Sequence, residues 1–231
     1  MSSTPQPDPQ IHALLAAMAG MPTPDYATLT APQLRAAMAA SPPMFAPGDA
    51  VAEIGDRTIR GPNGDLRLRL YRPRGDAPAL PAVLYFHGGG FVSCGLDTHD
   101  NICRTLTARA DALLVSVDYS LAPEAPFPAA VEDALFALDW LDANATSIGA
   151  DAARLAVAGD SAGGNLAAVV AQLARRNGPS LRHQLLLYPV TDCAGESATY
   201  ETFADGWFLT RDAMRWYRRQ YVNAKDALDP R

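Results

Sequence analysis

Residues 159–163 read Gly-Asp-Ser-Ala-Gly, and this G-x-S-x-G pentapeptide decides the fold of the chain. It follows the apolar strand candidate Leu155 to Ala158 and precedes a helical pattern that runs to about Asn177. A strand that turns so sharply into a helix needs glycine on both sides of the serine, because larger side chains would collide. The turn leaves the serine hydroxyl exposed, and the helix N-terminus beside it stabilises a developing anion. The pattern therefore predicts that Ser161 is a nucleophile.

Two other interpretations of the pentapeptide stay open. One is a strand-to-helix turn in which the glycines serve tight packing alone. The other is a phosphate loop, which is disfavoured because no Gly-Lys-Ser or Gly-Lys-Thr follows.

A second glycine-rich stretch, His87-Gly88-Gly89-Gly90, directly follows the apolar strand candidate Ala82 to Phe86. Three consecutive glycines lose much backbone entropy on folding, and they allow main-chain N–H groups to approach another group closely. On its own the stretch is equally well a flexible turn. Facing a nucleophilic serine, it predicts an oxyanion hole formed by the N–H groups of Gly88, Gly89 and Ala162.

The order of the remaining segments predicts an α/β fold. Leu66 to Tyr71 alternates apolar and polar residues, and with Arg57 to Arg60 it brackets the turn Gly61-Pro62-Asn63-Gly64, which indicates a hairpin. Short apolar strand candidates then alternate with helical stretches, which is typical of a mostly parallel sheet covered by helices on both faces. The further strand candidates are Ala112 to Val117 and Gln184 to Tyr188, and the helical stretches are Pro32 to Ala40, Asn101 to Ala110, Ala129 to Asn144 and Ala194 to Tyr221.

The composition excludes several classes of protein. The 231 residues are 48% hydrophobic and 19% charged, which is ordinary for a globular domain and argues against a disordered or fibrous chain. Nineteen basic against 25 acidic residues give a net charge of −6, so nucleic acid is not an expected partner.

Cys94, Cys103 and Cys193 are an odd set without CxxC spacing, which argues against a disulfide framework or a zinc site and indicates a reducing compartment. The apolar stretch Ala13 to Met21 lacks a basic flank and is too short to span a bilayer, so we predict a cytoplasmic protein without a membrane span.

Five motifs carry a family resemblance. They are His87 to Phe91, Asp118 to Glu124 with Pro126 to Ala130, Gly159 to Asn165, Tyr188-Pro189 and Gly206 to Thr210. Together they resemble the hormone-sensitive-lipase-like (bacterial family IV) carboxylesterases of the α/β-hydrolase superfamily, over nearly the whole chain from about residue 50. The resemblance implies a lipase-like serine carboxylesterase that cleaves short- to medium-chain acyl esters through an acyl-enzyme, with neither a metal nor an organic cofactor.

The resemblance also implies a helical cap over the site. Residues 1–50 would be N-terminal cap helices, residues 51–193 the α/β-hydrolase core, and residues 194–231 a second cap segment after which the rest of the core is missing. Asp118 and Glu124 would support the residues that form the site without touching the substrate, although each could equally well cap a loop. The aromatic candidates to line a substrate pocket are Phe91, Tyr188, Phe203, Trp207 and Phe208.

A nucleophilic serine needs a histidine base and an acid that orients the histidine. In this superfamily the order along the chain is serine, acid, histidine. The only histidine after Ser161 is His183, and residues 162–182 contain no Asp or Glu, so the triad acid and histidine are not found in this chain. His183 begins a strand candidate, whereas catalytic groups gather beyond the carboxyl ends of strands, so we expect it at an edge or on the surface. Asp192 could serve as a displaced acid, yet it has no histidine to orient.

The other three histidines are not expected to act as the base either. We place His12 on a cap helix, His99 near the start of the helix after the oxyanion loop, and His87 in a loop-shaping role. The sequence therefore predicts a C-terminally truncated esterase with impaired turnover.

Three alternatives for function stay open. The first is ester hydrolysis at Ser161, and the second is a catalytically inactive ligand-binding protein on the same scaffold. In the third, another chain supplies the missing strands. The expected partner is a small-molecule ester, and a homodimer is left open.

Overall fold

Six strands of the described residues form one sheet. The structure, a computed structural model, describes residues 7–20, 23–40 and 46–229. The strands are β1 (Glu53–Gly61), β2 (Gly64–Arg72), β3 (Leu80–Phe86), β4 (Leu113–Asp118), β5 (Ala150–Asp160) and β6 (Leu181–Leu187). The helices are α1 (Pro9–Met18), α2 (Ala31–Ala40), α3 (Asp100–Ala110), α4 (Ala129–Asn144), α5 (Ala162–Asn177), α6 (Ala198–Thr202) and α7 (Arg211–Tyr221).

The sheet is mostly parallel. Its strand order is β1-β2-β4-β3-β5-β6. Strands β4, β3, β5 and β6 run parallel to one another, whereas β1 and β2 form an antiparallel hairpin on the β4 side. The predicted α/β fold is confirmed.

The central strands β3, β4 and β5 are mainly apolar because helices cover both faces of the sheet. On one face Leu84 and Phe86 belong to the large core that contains residues of α4 and α5. On the other face Tyr85 packs with Leu114 and with Cys103 of α3. This arrangement brings the carboxyl ends of β3 and β5 side by side, and both glycine-rich motifs follow directly from those ends.

The predicted hairpin is confirmed, with Pro62 and Asn63 as its two turn residues between paired Gly61 and Gly64. The Asn63 side chain fastens the turn to α4, since its Nδ2 donates to the carboxylate of Asp133 at 3.1 Å. The buried Asp133 also accepts a hydrogen bond from the Ser120 N–H at 2.9 Å. The hairpin is therefore anchored to the loop that follows β4.

The tail differs from the continuous helical pattern that the sequence predicts over residues 194–221. The short α6 and the longer α7 are separated by residues 203–210, where Gly206 has a φ of 82°. Thr210 caps α7 through its Oγ1, which accepts from the Ala213 N–H at 3.2 Å. Phe203 is the C-cap of α6, and a threonine N-cap is an ordinary means of starting a helix such as α7.

The predicted division into residues 1–50, 51–193 and 194–231 stays a prediction. Parts of the two cap segments, namely residues 1–6, 21–22, 41–45 and 230–231, lie outside the described residues. Within the described part of the chain, no helix combines the length and the apolar character needed to cross a membrane.

Leu84→Ala should lower the free energy of unfolding by about 2–5 kcal/mol, because it removes a fully buried side chain from the central strand and leaves a cavity. Leu228→Ala is the matched control, since Leu228 is 78% exposed and its replacement should change stability by less than about 0.5 kcal/mol. Urea unfolding followed by circular dichroism measures both. Equal effects of the two substitutions would contradict the position of the core.

Candidate active site

Ser161 sits in the sharp turn between β5 and α5, with φ 53° and ψ −117°. This backbone conformation is rare for any residue other than glycine and costs about 1–3 kcal/mol of free energy, so the surrounding structure must hold Ser161 in it. The Ser161 N–H donates to the Leu187 carbonyl at 2.9 Å, and the Ser161 carbonyl accepts from the N–H groups of Asn165 at 3.1 Å and Val190 at 3.0 Å. Both flanks of the turn are thus fixed, one by α5 and the other by β6 and the loop that follows it.

The flanking glycines are required by close backbone approach, as the sequence predicts. A Cβ on Gly159 would collide with the Gly163 carbonyl, and a Cβ on Gly163 would collide with the Phe86 carbonyl. The first turn of α5 therefore lies directly against the end of β3. This contact is what places Ser161 beside the loop that starts at His87.

The loop after β3 presents its N–H groups differently from the prediction. The Gly88 N–H donates to the Asp160 carboxylate at 2.9 Å, so it is already engaged and is not free to bind an oxyanion. Among the described residues, no group accepts a hydrogen bond from the N–H of Gly89, Gly90 or Ala162. Gly89 and Gly90 line the same cavity as Ser161, and both have positive φ values, 116° and 62°. The geometry replaces Gly88 with Gly90 in the candidate oxyanion hole and keeps Gly89 and Ala162.

Asp160 connects the serine turn to this loop. Its Oδ1 accepts from the Tyr85 hydroxyl at 2.6 Å and from the Gly88 N–H, and the His99 imidazole Nε2 lies 3.4 Å from the carboxylate. Burial acts to raise the pKa of Asp160, but the hydrogen bonds from His99, Tyr85 and Gly88 outweigh burial, and the pKa is lowered. Asp160 is therefore an ionised, buried anchor whose role the sequence did not reveal.

None of the four histidines of the chain is placed to act as a base for Ser161. The His87 imidazole is fully buried and stacks on Tyr119 at 4.3 Å, its Nδ1 donates to the Gly88 carbonyl at 2.7 Å, and burial lowers its pKa to about 4. His99 does line the cavity, but its two ring nitrogens lie within hydrogen-bond distance of Asp160 and of Thr98. His12 is exposed on α1 and His183 is exposed in β6, as predicted.

The cavity beside Ser161 has a volume of about 300 Å³. Its walls are mainly apolar and aromatic. They come from the loops after β3 and β6, from α2 and α6, and from α7 with the loop before it. The apolar and aromatic residues are Met38, Phe91, Val190, Tyr200, Leu209, Met214, Tyr217 and Tyr221. A small, apolar, partly enclosed cavity suits a small organic molecule.

Four of the five predicted pocket aromatics are elsewhere. Phe91 lines the cavity and stacks on Tyr221 at 3.7 Å. Tyr188 is 74% exposed because the chain leaves β6 just before it, and Phe208 is also exposed. Phe203 and Trp207 pack edge to face against each other. The tyrosines at positions 217 and 221 of α7 could have been found from their i, i+4 spacing, which places them on one helix face.

The acidic residues singled out in the sequence do not form part of a triad within the described chain. Asp192 lines the cavity, and its Oδ1 accepts from the N–H groups of Ala194 at 2.6 Å and Gly195 at 3.2 Å, as in a loop turn. Asp118 lies 3.6 Å from Arg67 of β2, and burial raises its pKa. Both contacts are structural ones.

Residues 83–231 match the α/β-hydrolase fold family. The chain is 44% identical over 194 residues to the carboxylic ester hydrolase LipN of Mycobacterium tuberculosis, covering 80% of this chain and 51% of that protein. It is 41% identical over 188 residues to an ethyl acetate hydrolase of Pseudomonas putida, covering 79% and 58% respectively. Among solved structures it is similar to an ester hydrolase from the metagenome of Lake Arreo in complex with a bipyridine phosphonate derivative, with a TM-score of 0.87, 41% identity, and coverage of 96% of this chain and 74% of that one.

The sheet, the serine turn and these similarities define an α/β hydrolase. Within that class the chain belongs to the hormone-sensitive-lipase-like carboxylesterase family, so the resemblance found in the sequence is confirmed. The chain spans about half the length of the curated relatives it matches.

Gly163→Ala should destabilise the fold by about 1–3 kcal/mol or more, because the added Cβ meets the Phe86 carbonyl and neither backbone can move freely. Gly55→Ala is the control, since a Cβ at Gly55 in β1 meets nothing within 4 Å. Thermal unfolding of the two variants compares them. A Gly163→Ala protein as stable as wild type would contradict the close contact between α5 and β3.

Asp160→Asn should lower the free energy of unfolding by about 1–3 kcal/mol at pH 7, because it removes the charge from a buried hydrogen-bond acceptor. A carboxyl group whose pKa is lowered in the folded state contributes stability above its unfolded pKa of about 3.9, and this contribution is lost as the pH falls through the lowered value. The difference between wild type and variant should therefore shrink below about pH 4. Urea unfolding from pH 3 to pH 7 measures it, with the exposed Asp76→Asn as control. A difference that stays constant over this range would contradict an ionised Asp160.

Proposed function

We propose that this chain carries the nucleophile and the oxyanion hole of a serine carboxylesterase that acts on short- to medium-chain acyl esters. The single observation that carries the proposal is the strained Ser161 turn, which lines one apolar cavity together with Gly89 and Gly90. The family membership and the names of the relatives, an ester hydrolase and an ethyl acetate hydrolase among them, support the same reaction class.

The proposed chemistry begins with attack of the Ser161 Oγ on the ester carbonyl carbon. The carbonyl oxygen gains negative charge and binds to the N–H groups of Gly89, Gly90 and Ala162, assisted by the N-terminus of α5. Departure of the alcohol leaves an acyl group on Ser161, and water then releases the acid. Both steps need a base that takes the proton from the nucleophile and returns it to the leaving group.

None of the four histidines is placed to be that base, so we propose that turnover by these residues alone is slow and that a histidine from outside them completes the site. A site with an oxyanion hole but no complete triad keeps a residual acceleration of about 10³–10⁴-fold over water. Asp192, which already lines the cavity, is the candidate acid to orient such a histidine.

The second candidate is a catalytically inactive binding protein with the same cavity. One observation favours it. The ring nitrogens of His87 are buried, and those of His99 lie within hydrogen-bond distance of groups other than Ser161. Such a protein would bind an ester without reacting with it.

Ser161→Ala should abolish both residual hydrolysis of p-nitrophenyl butyrate and covalent labelling by a p-nitrophenyl alkylphosphonate, because both require the hydroxyl. The measurements are absorbance of the released p-nitrophenol and intact mass of the protein. Ser147→Ala is the matched control and should behave as wild type, because Ser147 is exposed in the short turn after α4 and does not line the cavity.

Three outcomes separate the candidates. Slow turnover and one phosphonyl adduct, both lost in Ser161→Ala, support the esterase. Fast turnover that is lost in Ser161→Ala would overturn the claim that no base is present. Tight ester binding without any adduct, unchanged in Ser161→Ala, would favour the binding protein.

A further inference from the structure

Arg35 on α2 joins the N-terminal segment to the core through all three nitrogens of its guanidinium. Nε donates to the Val92 carbonyl at 2.7 Å, and Nη2 donates to the Ala122 carbonyl at 2.8 Å. Nη1 and Nη2 also bind the two carboxylate oxygens of Glu124 at 2.9 and 2.8 Å. The Arg35 hydrogen bonds lower the pKa of Glu124. We name Arg35 with these three partners the Arg35 clasp.

One partner of the clasp, Val92, belongs to the turn that presents the candidate oxyanion donors, and a second, Ala122, belongs to a segment that supports this turn. The N–H groups of Val92 and Ser93 donate to the Gly89 carbonyl at 3.1 and 3.0 Å, which closes the turn around Gly90. The Ala122 N–H donates to the Phe91 carbonyl at 2.8 Å. Arg35 therefore binds the turn at its last carbonyl and at the segment that supports its middle.

The same helix also forms one wall of the cavity. Met38 lies about one turn beyond Arg35 on α2 and lines the same cavity as Ser161. A second contact holds this segment in place, since the Trp216 Nε1 of α7 donates to the Leu29 carbonyl at 3.1 Å. The position of α2 therefore affects both the Gly89–Val92 turn and the wall of the cavity.

The carbonyl contacts matter more than the ion pair. The Glu124 side chain is 57% exposed, and exposed ion pairs contribute little to stability. Val92 and Ala122 are fully buried, and hydrogen bonds from a charged donor to buried carbonyls are among the stronger ones. Lysine cannot replace arginine here, because a single ammonium group lacks the planar fork that reaches three partners.

We propose that Arg35 is a positioning residue of the active site: from α2 it holds the Gly89–Val92 turn so that the N–H groups of Gly89 and Gly90 face Ser161. The N-terminal segment then controls the oxyanion hole directly, in addition to covering the cavity. This proposal rests on the proposed function for its catalytic consequence, but the hold on the turn does not depend on catalysis.

The first experiment measures the hold on the turn by amide hydrogen exchange at Val92 and Ser93. Arg35→Gln should raise their exchange rates about tenfold or more, because it removes the charged donor from both carbonyls. Arg35→Lys should fall between Arg35→Gln and wild type. Glu124→Gln should change the rates less than about threefold, since the carbonyl contacts remain. Arg60→Gln is the matched control, because it breaks an exposed ion pair with Asp65 on the hairpin and should leave the rates unchanged.

The second experiment measures the oxyanion hole by titration with butylboronic acid, followed by ¹¹B NMR. Addition of the Ser161 Oγ to the boron, with release of the hydroxyl proton to the solvent, gives a tetrahedral anion, and its signal should be absent in Ser161→Ala. Arg35→Gln should weaken formation of this adduct at least about tenfold at a temperature well below its unfolding transition, because displaced N–H donors stabilise the anion poorly. A merely structural role would lower the unfolding temperature and leave the adduct affinity unchanged.

The outcomes distinguish this proposal from the proposed function. A wild-type protein that forms no tetrahedral adduct contradicts the function of Ser161, while the exchange rates still decide whether Arg35 holds the turn. A wild-type adduct that forms with equal affinity in Arg35→Gln overturns the positioning role. Unchanged exchange at Val92 and Ser93 in Arg35→Gln overturns the clasp itself.

Discussion

The close contact between the first turn of α5 and the end of β3 is the constraint on which the rest of the site depends. Gly163 lies so near the Phe86 carbonyl that no side chain fits between them. This contact forces the chain to turn at Ser161 with a strained backbone, and hydrogen bonds to Leu187 and Val190 keep the strain in place. Because β3 and β5 are parallel neighbours, the loop that leaves β3 emerges beside the serine. Ser161 and the candidate oxyanion donors Gly89 and Gly90 therefore come from two loops, and the contact between Gly163 and Phe86 brings those loops together.

Asp160 couples those two loops electrostatically. Asp160 is the last residue of β5, and its carboxylate accepts a hydrogen bond from the Gly88 N–H at the start of the loop after β3. Burial of a carboxylate is costly unless hydrogen bonds compensate, and here Tyr85 and His99 complete the set of partners. The Arg35 clasp acts on the far end of the same loop. The loop after β3 is thus held at both ends, at Gly88 by Asp160 and at Val92 by Arg35 of α2.

Sequence reasoning succeeded where the determinants are local in the chain. The glycines around Ser161, the alternation in β2 and the two-residue hairpin turn each depend on neighbours in sequence, and all lie where the sequence predicts them. It failed where contacts between distant segments decide the outcome. Which two of three consecutive glycines offer free N–H groups depends on Asp160, 72 residues beyond Gly88. The pocket aromatics were misplaced for the same reason, since α7 packs onto the cavity with Tyr217 and Tyr221 whereas Tyr188 turns outward.

The amino-acid sequence by itself determined the α/β fold and the nucleophile candidate, and it predicted that no histidine of these residues stands in the order that a serine triad requires. These conclusions follow from periodicity, from the steric needs of glycine and from the order of residue types along the chain. Only the tertiary structure decided that the Gly88 N–H binds Asp160 whereas Gly89 and Gly90 line the cavity, that His87 and His99 are engaged elsewhere, and that Arg35 reaches Val92 in the loop after β3. The physical reason is that an N–H group or a ring nitrogen is no longer available once the fold brings a hydrogen-bond partner within about 3 Å of it. No local pattern in the sequence specifies that partner.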